Sequence, residues 1–114
     1  MDRNEFTELI TKHHEEFQLE KDWGWGGGIP ALNEITFHAE THVFNVNCAE
    51  VDDLTFSEIE GRRQVRAYMD IIRKYKPEIN PVLVSLSSYI GIRETRHLNC
   101  AYRLTENDVL YGKR

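Results

Sequence analysis

The sequence predicts an α+β fold with a small, mostly antiparallel sheet, one long helix packed on it and a peripheral N-terminal helix. Three observations carry that expectation. Apolar residues recur at helical spacing in residues 4–20, and a longer stripe of the same period runs from Ile59 down to Tyr75. Between and after these stretches lie short segments rich in β-branched and aromatic residues. The chain has 114 residues, enough for one small domain with a modest core and too few for two.

The elements follow in order. Phe6, Leu9, Ile10, His13 and Phe17 share one face of the first helix, and Glu5, Glu8, Lys12, Glu16 and Glu20 line the other. Asp2 or Asn4 supplies its cap oxygen. Residues 23–30 read as a loop, because four glycines and Pro30 exclude a helix. Ile35, Phe37 and Ala39 then alternate with Thr36, His38 and Glu40. Residues 43–48 are β-rich, so a hairpin turning at 38–41 is expected.

Thr55 with Glu58, and Ser57 with Glu60, match the capping-box pattern for the start of the long helix. Its core-facing stripe reads Ile59, Val65, Tyr68, Met69, Ile72 and Tyr75, and Arg73, Lys74 and Lys76 suit its C-terminal dipole. Residues 82–90 read as a strand buried at its start, and residues 100–104 as a short final one. Thr105 opens a last short helix that Gly112 stops.

Charge and composition exclude several function classes. A net charge of -5 speaks against a nucleic-acid binder, whose footprint is basic. Two cysteines make no disulfide framework, and the polar first twenty residues are no signal peptide. No apolar run reaches the ~18 residues of a membrane span. The expected setting is cytoplasmic and reducing.

Candidate chemistry is sparse. Gly24 to Ile29 begins like a dinucleotide fingerprint, but Ile29 stands at the third glycine, Pro30 follows, and no strand precedes it. His38, His42, Cys48, His97 and Cys100 carry suitable metal-ligand atoms without the paired spacing of zinc sites, so no metal is expected. His13 and His14 show no orienting partner for base catalysis. The segment Gly91-Ile92-Arg93-Glu94-Thr95-Arg96-His97 stands out. Two guanidinium groups flank an acid just past a strand end, and such forks bind carboxylate or phosphate. On spacing alone, a structural Glu94–arginine pair is the favoured reading.

That segment, with Leu98 and the run Tyr102-Arg103-Leu104-Thr105-Glu106-Asn107-Asp108-Val109-Leu110 and then Gly112, resembles a stretch of the FAD-dependent oxidoreductase family. Upstream, Val46-Asn47, Asp52-Asp53-Leu54-Thr55 and Glu58-Ile59-Glu60-Gly61-Arg62-Arg63-Gln64 are similar to that family's strand-to-helix region. The resemblance implies FAD as cofactor of a larger parent and a small organic substrate. It also implies a missing flavin-binding part of the same protein as partner, and a chain inactive alone. It implies Arg93, Arg96 and Glu94 as catalytic residues, with Asn47 and Arg93 at the flavin. Removal of the flavin half would leave apolar surface able to self-associate. The rival reading is a non-catalytic interaction domain that uses Trp23 and Trp25 as anchors.

Overall fold

The computed structural model of the protein describes residues 1–20, 25–29, 32–39, 41–93, 95, 96 and 98–112. Helix α1 spans Arg3–His13 and opens on Asp2, whose carboxylate accepts from the Glu5 backbone N–H at 2.8 Å. A single 3₁₀ turn, Glu15–Phe17, follows and ends on Gln18 in the left-handed region. Strand β1 (Trp25–Ile29) pairs antiparallel with β2 (Leu32–Ala39), from Trp25 opposite Ala39 to Gly28 opposite Thr36. Helix α2 runs from Val51 to Tyr75, and α3 from Glu106 to Tyr111.

The core lies between α1 and α2. Phe6, Leu9, Ile10 and Leu19 meet Ala67, Tyr68, Ile71 and Ile72, with Met1, Phe17, Tyr75 and Ile79 packed around them. Phe6 and Tyr68 meet edge to face at 5.8 Å. The N-terminal helix is therefore half of the core and not peripheral. The expected arrangement of a long helix on a sheet gives way to a long helix on a helix. The β1–β2 ribbon sits against α1 instead, with the His38 ring 4.4 Å from that of Phe6.

Several other expectations change, each for a local reason. Residues 25–29 form a strand and not a loop, because the alternating β2 offers these glycines a ladder that offsets their weak strand propensity. Residues 43–48 are not a strand. Asn45 takes φ +60°, the Asn47 N–H donates to Asp53 Oδ2 at 2.7 Å, and the chain is bent into the start of α2. Helix α2 begins before both capping boxes. Asp52 and Asp53 supply the first-turn acids, and the Thr55 and Ser57 hydroxyls donate back to the Val51 and Asp53 carbonyls inside the helix.

The stripe on α2 is half right. Tyr68 and Ile72 are buried, but Ile59 is exposed, and Ser57, Gln64, Ala67 and Ile71 complete the buried face. The 3₁₀ turn Pro77–Ile79, ended by Asn80 at φ +46°, then reverses the chain. Neither residues 82–90 nor residues 100–104 form a strand. Val82 and Val84 are 76% and 73% exposed, so the expected buried start is absent. A β-rich segment without a neighbouring ladder has nothing to satisfy its backbone but water. The radius of gyration is 17.8 Å. A compact domain of this length would have about 13 Å.

The short helix α3 matches its expectation. Thr105 and Asp108 form the reciprocal capping box, and Gly112 closes the helix at φ +59°. The Tyr102 hydroxyl donates to the same Asp108 carboxylate at 2.6 Å and helps hold that carboxyl below the usual range.

Candidate functional site

The middle of α2 carries the most highly connected polar residues, from Glu58 to Gln64. Arg63 forks onto Glu60, its Nε and Nη2 each 2.7 Å from a carboxylate oxygen. The same guanidinium donates to the Phe17 and Gln18 carbonyls at 3.1 and 2.8 Å, which ties the end of the N-terminal segment to α2. Gln64 is buried and reads the next loop. Its Oε1 accepts from the His42 N–H at 3.1 Å, and its Nε2 donates to the His42 carbonyl at 2.8 Å and to Glu60 at 3.2 Å.

The opposite side of this turn holds the segment that leads to the arginines. Glu58 accepts from the Ile90 N–H at 2.8 Å, and Arg62 donates to the Ser88 carbonyl at 3.3 Å. Gly61 lies beside Ile90, where a methyl group would stand 3.9 Å from Ile90 Cγ2. Five residues within one stretch of seven, Glu58, Glu60, Arg62, Arg63 and Gln64, thus fasten three segments: 17–18, 42 and 88–90. The sequence marks Glu60 to Gln64 as a motif but gives no sign of this clamp role. The reciprocal amide-to-backbone pairing of Gln64 could have been suspected only from a polar residue falling on the buried face.

Removing the Gln64 amide leaves the His42 N–H and C=O without their partner in a part-buried site. Gln64→Leu is expected to lower stability by about 1–3 kcal/mol, read as a shift in the urea midpoint. A midpoint within error of the parent would show that this loop is held by other contacts.

The carboxyl of Glu60 is held below the ordinary carboxylate range, chiefly by the hydrogen bond from Arg63, which outweighs the opposing effect of burial with further help from the Gln64 hydrogen bond. A lowered folded-state value means the stabilisation is complete at neutral pH, above the ordinary value of an unfolded Glu, and is lost as the pH falls through the folded-state value. Part of the pair is solvated, so screening reduces the effect. Glu60→Gln is expected to flatten the acid limb of the stability curve and leave its shape above neutrality unchanged. An acid limb as steep as the parent's would assign the loss to other carboxylates.

Arg93 and Arg96 are both exposed, and among the described residues neither has a hydrogen bond or ion pair. Glu94, the acid expected between them, lies outside the described residues, as does His97. Asn47 is used locally: its side-chain oxygen accepts from the Ala49 N–H at 3.2 Å and shapes the turn into α2. No hydrogen bond joins Asn47 to either arginine among the described residues.

A pyrophosphate cradle needs a strand, a tight glycine turn and a helix N-terminus. Gly26, Gly27 and Gly28 lie instead within β1, whose chain turns into a second strand. The described residues therefore do not fit the phosphate half of FAD. The Arg93 and Arg96 guanidinium groups, without partners among the described residues, do suit an anionic edge of a ring or substrate.

Among the described residues no three His, Cys, Asp or Glu side chains are grouped to hold a metal ion. Cys48 contacts the Ser57 hydroxyl at 3.5 Å and Cys100 is exposed. No described helix is long and apolar enough to cross a membrane. Trp23 and the Trp25 side chain, the anchors of the interaction-domain reading, lie outside the described residues.

Comparison with known proteins gives one match. The family model described as FAD dependent oxidoreductase covers residues 2–114. No curated protein and no solved structure matches the chain.

Proposed function

The chain belongs to the FAD-dependent oxidoreductase family, and from that premise we propose that it forms the substrate-side part of a larger flavoenzyme and is inactive alone. The observation that carries this reading is the pair Arg93 and Arg96, exposed and without partners among the described residues at the end of an apolar segment that is itself uncovered. FAD, bound by the remainder of the protein, supplies the ring that exchanges a hydride with a small organic substrate.

Within that enzyme, Arg93 faces the flavin edge and Arg96 an anionic group of the substrate. Their fixed positive charge holds the anion and offsets negative charge that develops during transfer. Glu94 orients one guanidinium, and Asn47 offers its amide N–H groups from the turn before α2. The clamp from Glu58 to Gln64 is the positioning element, because Glu58 and Arg62 hold the chain immediately before Gly91.

A flavin absorbance spectrum of the intact protein tests the proposal. A flavin band that survives desalting is expected from the intact protein and none from these 114 residues. An intact protein that neither retains nor takes up FAD would sink the reading.

A further inference from the structure

Beyond the arginine pair, a groove of about 530 Å³ opens on the outer face of α2. Ile59, Val65 and Met69 form one wall, Leu83 and Leu86 the other, and Arg66 stands at the rim. We propose that this groove and the adjoining residues 82–86 are the docking site of a β-strand from the flavin-bearing part of the same protein, an inference that rests on the function proposed above.

Two independent observations name a strand as the occupant. The first is an open ladder. After the reversal at Pro77–Ile79 the chain runs back along α2 and, among the described residues, is hydrogen-bonded to it at its far end, through the Ser88 carbonyl and the Ile90 N–H. Residues 82–87 make no backbone hydrogen bond to any described residue. Their peptide groups are thus free to form a ladder with a neighbouring strand.

The second observation is the distribution of apolar side chains. Leu83 and Leu86 turn partly into the groove at 49% and 39% exposure, and Val82 and Val84 remain almost fully outside. Consecutive apolar residues that need cover on both faces mark a strand inside a two-sided sheet. Helix α2 already covers one face. A strand paired beside residues 82–86 would place its own apolar side chains against the exposed Ile59 and the half-buried Met69.

Charge decides the source. Arg62, Arg66 and Arg73 border the groove on α2. Arg73 is paired with Asp70 at 3.2 Å and Arg62 is 3.6 Å from Glu58, but Arg66 has no partner among the described residues. A second copy docked through a two-fold axis would oppose the same arginines to one another, which is unfavourable. The complement is a strand with acidic residues at its flank. Docking also fixes the segment that ends at Gly91, so Arg93 and Arg96 take their working positions only when the strand is seated.

Amide hydrogen exchange at residues 83–87 tests this in the 114-residue chain and in the intact protein. In the isolated chain these amides should exchange as in an unfolded peptide, and in the intact protein at least about a hundredfold more slowly. Val84→Pro should abolish that slowing in the intact protein and leave the urea midpoint of the isolated chain unmoved. Fast exchange in an intact protein that holds FAD overturns the docking and leaves the proposed function standing. Slow exchange in an intact protein that binds no flavin does the reverse. Slow exchange in an isolated chain that sediments as a dimer assigns the groove to a second copy and overturns the inference.

Discussion

Ile71→Ala is expected to lower the unfolding free energy by about 2–5 kcal/mol. Ile71 and Ile10 are both wholly buried, and they meet where α1 crosses α2. Two helices held by the rest of this core and by the Lys76–Glu5 ion pair close only partly over the lost methylenes, so much of the vacated volume persists as a cavity. Small domains are stable by only about 5–15 kcal/mol, so the variant should lose a large share of its stability. Urea titration followed by far-UV circular dichroism measures the loss. Val82→Ala is the control: it removes a similar apolar volume from an exposed site and should stay within about 0.5 kcal/mol of the parent. Equal shifts in the two variants would mean that the α1–α2 contact is not what holds the fold.

The same contrast between 71 and 82 explains what could be read in the sequence. Helix α1, its Asp2 cap, the long helix and the Thr105–Gly112 helix are all set by local periodicity and capping chemistry, which a sequence displays directly. Pairing is not local. Residues 43–48 and 82–90 have strand composition, but one is bent by Asn45 and the Asn47–Asp53 hydrogen bond, and the other has no ladder to join. Conversely, residues 25–29 look like a loop and become a strand because β2 is adjacent. The peripheral place expected for α1 failed for a related reason. Periodicity shows which face is apolar, and says nothing about which other element that face meets.

The site divides along the same line. The arginine pair is proposed from the sequence, where guanidinium chemistry and family resemblance both mark residues 91–96. The clamp was not legible, since Arg63 and Gln64 act on backbone groups of residues 17, 18 and 42, distant in sequence and without side-chain signature. Charged residues at i and i+3 on a helix ordinarily read as a surface pair worth little. Here the Glu60–Arg63 fork holds the guanidinium in register for two further carbonyls, so the pair's value lies in what it positions.

Arg93→Ala and Arg96→Ala are each expected to lower turnover of the intact enzyme by about 10²–10³-fold, with stability changed by no more than about 0.5 kcal/mol. The separation of the two effects follows from the geometry. Both side chains are exposed and make no hydrogen bond or ion pair among the described residues, so truncation removes nothing that holds this chain together. Steady-state kinetics distinguish the two roles. If Arg96 holds a substrate anion equally in ground and transition states, its loss raises KM and leaves kcat unchanged. If Arg93 answers charge that appears only during transfer, its loss lowers kcat. Lysine at either position keeps the charge but loses the planar fork, so Arg93→Lys should recover only part of the rate. The double variant should lose less than the product of the single losses if both guanidinium groups serve one anion. Unchanged turnover in both single variants would remove the pair from the reaction and leave Arg93 and Arg96 as solvated surface charges.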